Sequence, residues 1–220
     1  MKIKAMKIWH KIIPSALLLA LLMATETVVA QIRVACIGNS ITYGYAIEDR
    51  EHDAYPVQLQ QMLGEGYEVR NFGVSATTAQ NEGDSPWTKT QEYKDAKAFR
   101  PDICVIKLGT NDSKERNWAG TERFIAGLEA LAVEFEQLES HPRILIALPA
   151  KAYWENYHIR DSIIARYELP AIRKMAKRHH WKLIDLYKAT SKMPENFPDG
   201  IHPNAAGATV IARKVKKAID

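Results

Sequence analysis

From residue 31 onward, short apolar runs of strand length alternate with longer segments of helical period. Strands are expected over 32–37, 67–71, 102–108, 143–148 and 181–185. Helices are expected over 55–63, 88–99, 121–139, 161–178 and 203–219. Phe124, Leu128, Leu131, Phe135 and Leu138 recur at spacings of three and four, which is one apolar stripe. Pro56 suits a first helical turn, as does Pro203, and Pro170 predicts a break or kink. Strands alternating with helices form βαβ units, so the expectation is an α/β fold with a mostly parallel central sheet and helices on both faces. Such sheets bind ligands at the carboxyl ends of their strands. The loops that follow the first three strands, and the loop before the last helix, should therefore share one rim.

The alternation leaves residues 1–30 unaccounted for. They carry Lys2, Lys4, Lys7 and Lys11, then an apolar stretch over 16–24, then Val28-Val29-Ala30 before Gln31. This is the layout of a secretory signal peptide, and the apolar stretch is too short to span a bilayer. The alternative is an uncleaved anchor. Domains are expected as a signal peptide over 1–30 and a single folded domain over 31–220. Export to the periplasm or beyond follows, with no stable membrane insertion after cleavage. The leader also explains the charge. The whole chain has a formal net charge of +4, but four Lys against one Glu in the leader leave only +1 on the rest. A body so nearly neutral lacks the basic surface that nucleic-acid binding needs. Two Cys are too few for a disulfide framework.

The rim carries the chemistry. After the first strand comes Gly38-Asn39-Ser40-Ile41, after the second Asn71-Phe72-Gly73-Val74-Ser75, and after the third Gly109-Thr110-Asn111-Asp112. Before the last helix comes Asp199-Gly200-Ile201-His202-Pro203. A hydroxyl at a strand-to-helix turn becomes a nucleophile only if a base removes its proton. His202 is the candidate base, and Asp199 can fix its tautomer. An oxyanion needs preorganised donors, for which the Ser40 N–H, the Gly73 N–H and the Asn111 amide are candidates. Ser75 is a rival hydroxyl with no base placed for it, and Asp112 reads as a cap on the segment after its loop.

These four blocks, in this order over residues 36 to 203, resemble the SGNH hydrolases, also called the GDSL esterase and lipase family, after Ser40, Gly73, Asn111 and His202. The resemblance implies a three-layer flavodoxin-like fold with a central five-stranded parallel sheet. It implies acyl transfer through Ser40, Asp199 and His202 with no cofactor or metal. One residue departs from the pattern: the first block usually reads Gly-Asp-Ser, and Asn39 stands where the Asp would be. The wording of the blocks is similar to that of secreted bacterial carbohydrate or sialate O-acetylesterases. The expected substrate is a small-molecule or glycan ester carrying a small acyl group, with lipase, thioesterase or lysophospholipase action and a catalytically silent glycan-binding domain as alternatives. Oligomeric state is not read from these residues. The implied strand order makes the first and third strands neighbours, which brings Cys36 near Cys104. Free thiols are still expected, because adjacent parallel strands suit a disulfide poorly.

Aromatic residues near the rim suggest a substrate cleft: Trp118, Trp154 and His158, with Trp87 posing the same question. His179-His180 is not read as a metal site, since adjacent helical side chains diverge by about 100°. Lys214, Lys216 and Lys217 read as a solvated helix end.

Overall fold

The computed structural model describes residues 30–220, so the leader expectations lie outside the described residues. Chain order is β1 (Ile32–Gly38), α1 (Ser40–Tyr43), α2 (Arg50–Asp53), α3 (Tyr55–Leu63), β2 (Tyr67–Gly73), α4 (Gln91–Ala98) and β3 (Ile103–Lys107). It continues with α5 (Thr121–Glu136), β4 (Arg143–Ala147), α6 (Asp161–Ile163), α7 (Leu169–Arg178), β5 (Lys182–Ile184), α8 (Leu186–Ala189) and α9 (Ala205–Ile219). The sheet order is β2-β1-β3-β4-β5, and every pairing is parallel. This is the five-stranded flavodoxin-like sheet with helices on both faces.

Strand alternation builds two cores. Ala35, Ile37, Cys104, Ile106, Ile144 and Ile146 face α4, α5 and α7, where Phe124, Leu128, Phe135, Ile172 and Met175 pack. Val34, Cys36, Val105, Leu145, Ala147 and Ile184 face α3, α8 and α9, where Leu59, Leu186, Ile211 and Val215 pack. Both faces are covered, so the strands are apolar throughout rather than alternating with polar residues. Cys36 and Cys104 are free and buried. Register decides this: Cys36 pairs with Val105 and Ala35 with Cys104, which puts the two thiols on opposite faces of the sheet.

Several boundaries differ from expectation for local reasons. The helix expected over 88–99 starts later, because Thr90 caps α4 by accepting from the Tyr93 N–H at 3.3 Å. Trp87 lies in the preceding 3-10 turn, fully buried, and its Nε1–H donates to the Phe72 carbonyl at 2.9 Å. It belongs to the core and not to a cleft. Pro203 does not open the last helix: Asn204 caps it, accepting from the Gly207 N–H at 3.0 Å. Pro170 does not break its helix. The chain passes through a π-helical turn (Ile164–Glu168) into α7, with Pro170 in the first turn after it.

Candidate active site

The strand order reverses between β1 and β3, and a crevice opens at the carboxyl ends of those strands. Ser40 opens α1 directly after β1, with the Asn39 side chain accepting from the Ile41 N–H at 3.2 Å. Ser40 Oγ lies 2.8 Å from His202 Nε2, and His202 Nδ1 lies 2.6 Å from Asp199 Oδ2. A carboxylate against Nδ1 holds the proton there and leaves Nε2 as an acceptor for the Ser40 hydroxyl. Asp199 is itself fixed: its Oδ1 accepts from the Ile201 N–H at 2.9 Å and the His202 N–H at 2.7 Å. Thus residues 162 positions apart in sequence form one hydrogen-bonded chain.

The charges follow from burial and these bonds. Burial lowers the pKa of His202 below its ordinary 6.5, and outweighs the opposing pull of Asp199. The positive charges of Lys107 and Lys114 act in the same direction as burial. For Asp199, burial pushes upward, but the hydrogen bonds from His202 and Ile201 hold its carboxyl below the usual range. A neutral imidazole beside an ionised carboxylate is the state a general base requires.

A cavity of about 200 Å³ opens above this chain. Ser40 and His202 form its floor, and Asn111, Ala76, Lys114 and Tyr157 line it. The Asn111 amide donates to the Thr77 carbonyl at 3.0 Å, which orients the group and leaves its second N–H available. Gly73 does not reach the cavity, contrary to expectation. Its N–H donates to Asn71 Oδ1 at 2.9 Å, and the residue faces a different hollow beside Tyr43 and Arg50. It is glycine for packing: a Cβ there would sit 2.2 Å from the Tyr43 backbone nitrogen. The residues after β2 that do line the cavity are Ser75 and Ala76, and Ala76 is held at φ +68°. Among the described residues its N–H has no acceptor. Sequence reading missed it because no side chain marks it; a positive φ at a non-glycine residue is the structural signal.

The expected cleft residues are dispersed. Trp118 packs on Phe124 and Tyr167 at the edge of the core. His158 is exposed and lines a separate hollow with Glu115 and Arg116. Trp154 is exposed and lies over Gly200, whose positive φ and missing Cβ make room for the indole. It therefore flanks the Asp199–His202 loop without lining the cavity. The aromatic residues at the nucleophile are instead Tyr45 and Tyr157, with ring centroids 4.6 and 5.3 Å from the His202 ring. Ser75 lines the cavity, but His202 is committed to Ser40. Asp112 is fully buried and accepts from the Ala79 and Gln80 N–H groups, so it ties the segment carrying Ala76 to the β3 loop. His179 pairs with Glu129 and stacks on Trp181 at 4.1 Å. Among the described residues no cluster of His, Cys, Asp or Glu could hold a metal ion, and no helix is long and apolar enough to cross a membrane.

Comparison with known proteins identifies the family and the fold. The model of the GDSL-like lipase/acylhydrolase family matches residues 36–210. A curated acetylxylan esterase of Xylanibacter ruminicola is 41% identical over 206 residues, covering 86% of this chain and 43% of the relative. The chain thus spans less than half the length of that protein. Among solved structures, a carbohydrate acetylesterase family member from Sinorhizobium meliloti superposes with a TM-score of 0.67 at 21% identity, covering 85% of this chain and 96% of that one. The M. smegmatis aryl esterase does so with a TM-score of 0.69 at 18% identity, covering 86% and 98%. The shared fold is that of the SGNH hydrolases. From the span of the family match and the order of the four blocks, the chain belongs to the GDSL-like lipase/acylhydrolase family.

Proposed function

We propose that this protein is an exported serine esterase that removes acetyl groups from carbohydrate. The observation that carries the reading is the hydrogen-bonded chain from Ser40 through His202 to Asp199 at the floor of a small cavity. Ser40 Oγ attacks the ester carbonyl while His202 Nε2 takes its proton. Negative charge gathers on the carbonyl oxygen, for which the second N–H of Asn111 and the backbone N–H groups of Ala76 and Ser40 serve as donors. His202 then returns the proton to the departing alcohol, leaving an acyl-Ser40. Water, deprotonated by His202, attacks the acyl group, releases the acid and restores the Ser40 hydroxyl. Asp199 supports the imidazolium through both transfers without taking the proton.

Acetyl is favoured over longer acyl groups by the cavity size of about 200 Å³. A carbohydrate alcohol is favoured by the 41%-identical relative, which is named an acetylxylan esterase, and by exposed Tyr45, Tyr157 and Trp154 around the mouth, since aromatic faces suit sugar rings. The signal-peptide layout of residues 1–30 supports export.

The test is hydrolysis of p-nitrophenyl acetate, butyrate and octanoate, then acetate release from acetylated xylo-oligosaccharides, with Ser40→Ala as control. Acetate preference and acetate release, both lost in the variant, are the expected result. Octanoate preference would move the substrate to lipids or thioesters. No turnover by folded protein would point to a binding module.

A further inference from the structure

The cavity above Ser40 holds a charged side chain that the hydrolysis described above does not use. Lys114 stands three residues after Asn111, in the turns that follow β3. Its backbone is held at both ends. The N–H donates to the Asn111 carbonyl at 3.3 Å, and the carbonyl accepts from the Asn117 and Trp118 N–H groups at 3.0 and 2.8 Å. The residue is only 6% exposed, and it lines the cavity together with Ser40, Tyr157 and His202. Among the described residues its ammonium has no hydrogen-bond or ion-pair partner, yet it is not sealed from solvent. The cavity is therefore the opening that it faces.

A buried ammonium without a counter-charge is unfavourable. Burial, and then the charge of Arg116, lower the pKa of Lys114, and Asp84 opposes them. Asp84 is already committed: it pairs with Arg116 at 2.6 Å and accepts from Asn117 Nδ2 at 2.9 Å. Asp199 is committed to His202, and Asp112 to the N–H groups of Ala79 and Gln80. Glu115, next in sequence, is exposed and lines the separate hollow with Arg116 and His158. The positive charge is thus left for a group that enters the cavity. An ammonium is a compact point charge with three donors, which suits one carboxylate. The reacting carbonyl oxygen has its own donors in Asn111, Ala76 and Ser40. The rings of Tyr45 and Tyr157 line the same cavity and offer faces to a sugar.

We propose that Lys114 binds a carboxylate on the sugar, so that the preferred substrates are acetylated glycan units bearing a uronic acid. This rests on the esterase reading above and narrows the substrate of that same site. In the productive pose the ester carbonyl lies over Ser40, the sugar lies against Tyr45 and Tyr157, and the carboxylate meets the Lys114 ammonium. No bond is made or broken at Lys114. The contact is present in the bound substrate and in the transition state alike, so it acts on KM more than on kcat.

The experiment uses mono-O-acetylated methyl glucuronoside, each position isomer taken as the free acid and as its uncharged carboxyl methyl ester. Acetate release is measured for the wild type, Lys114→Met and Lys114→Gln, with unfolding temperature recorded in parallel. The wild type should prefer the acid of at least one isomer by about tenfold or more in kcat/KM, carried by KM, the size of one charge-assisted contact. In either variant that ratio should fall to within about twofold of one. Because the ratio compares two substrates on one protein, a general loss of activity or a shifted His202 cancels. A wild type that prefers no acid would overturn the proposal. So would variants that lose activity equally on acid and methyl ester, which would assign Lys114 to the reacting oxygen. If neither variant folds, the wild-type ratio decides: a preference that weakens as salt rises supports the contact, and no preference overturns it. Calorimetry of the same pair on Ser40→Ala separates the carboxylate site from the esterase reading. Tighter binding of the acid supports the site whatever the chemistry, and equal affinity overturns it. Acetate release that survives Ser40→Ala would sink the nucleophile reading alone.

Discussion

At Asn111 one amide hydrogen donates to the Thr77 carbonyl, and the residue lines the cavity beside Ser40. Asn111→Ala should lower kcat by about 10²–10³, the usual effect of removing one oxyanion donor. Steady-state kinetics on p-nitrophenyl acetate read it, and a loss below about tenfold would remove Asn111 from that role. Ala76 stands at φ +68°, where a Cβ is strained. Ala76→Gly should raise stability by about 1 kcal/mol while keeping kcat within a few-fold, because the donor is backbone. Denaturant unfolding checks the first part; a large fall in kcat would show that the Cβ itself shapes the site. For His202 the sign is direct. Only the neutral ring accepts the Ser40 proton, and burial holds its pKa below 6.5. The acid limb of the kcat/KM profile should therefore be centred below 6.5. A limb centred at or above 6.5 would mean that another group limits the reaction. Ser40, Asp199, His202 and Asn111, which the structure brings to one site, were marked in sequence, since each proposed role needs a particular side chain. Ala76 was not, because a backbone N–H carries no residue type.

At the scale of elements, Gly73 shows how a motif residue can serve placement instead of chemistry. β2 passes so close to α1 that a Cβ at position 73 would lie 2.2 Å from the Tyr43 backbone nitrogen. Gly73→Ala should push α1 outward, cost about 1–3 kcal/mol, and reduce activity by moving Ser40 away from His202. Thermal unfolding and kinetics on the same sample test this together. Stability loss with full kcat would show that α1 is free to shift without harm. Helical period and apolar runs located all five strands and the major helices. Their ends were less legible, because caps such as Thr90 and Asn204 act through hydrogen bonds of one turn. The π-helical turn before Pro170 was not legible at all, since neither a residue type nor a spacing marks it.

For the whole molecule, the parallel sheet is covered on both faces, and its two cysteines point into different cores. Burial pushes the Cys36 thiol up to about 12 and raises Cys104 as well. A thiol reagent such as DTNB should therefore label neither in the folded protein and both in denaturant. Rapid labelling of one under native conditions would show that its strand opens locally.

The sequence by itself determined the layer architecture, because periods of two and of three to four dictate which elements can pack. It also marked the proposed reacting groups, because a nucleophile, a base and its orienting acid must be side chains of particular kinds. Only the tertiary structure decided which neighbours complete the site. Gly73 against Ala76, and Trp118 against Tyr45 and Tyr157, depend on how closely segments distant in sequence approach one another. Distance, register and backbone direction set those approaches, and none of them is written in the type of a single residue.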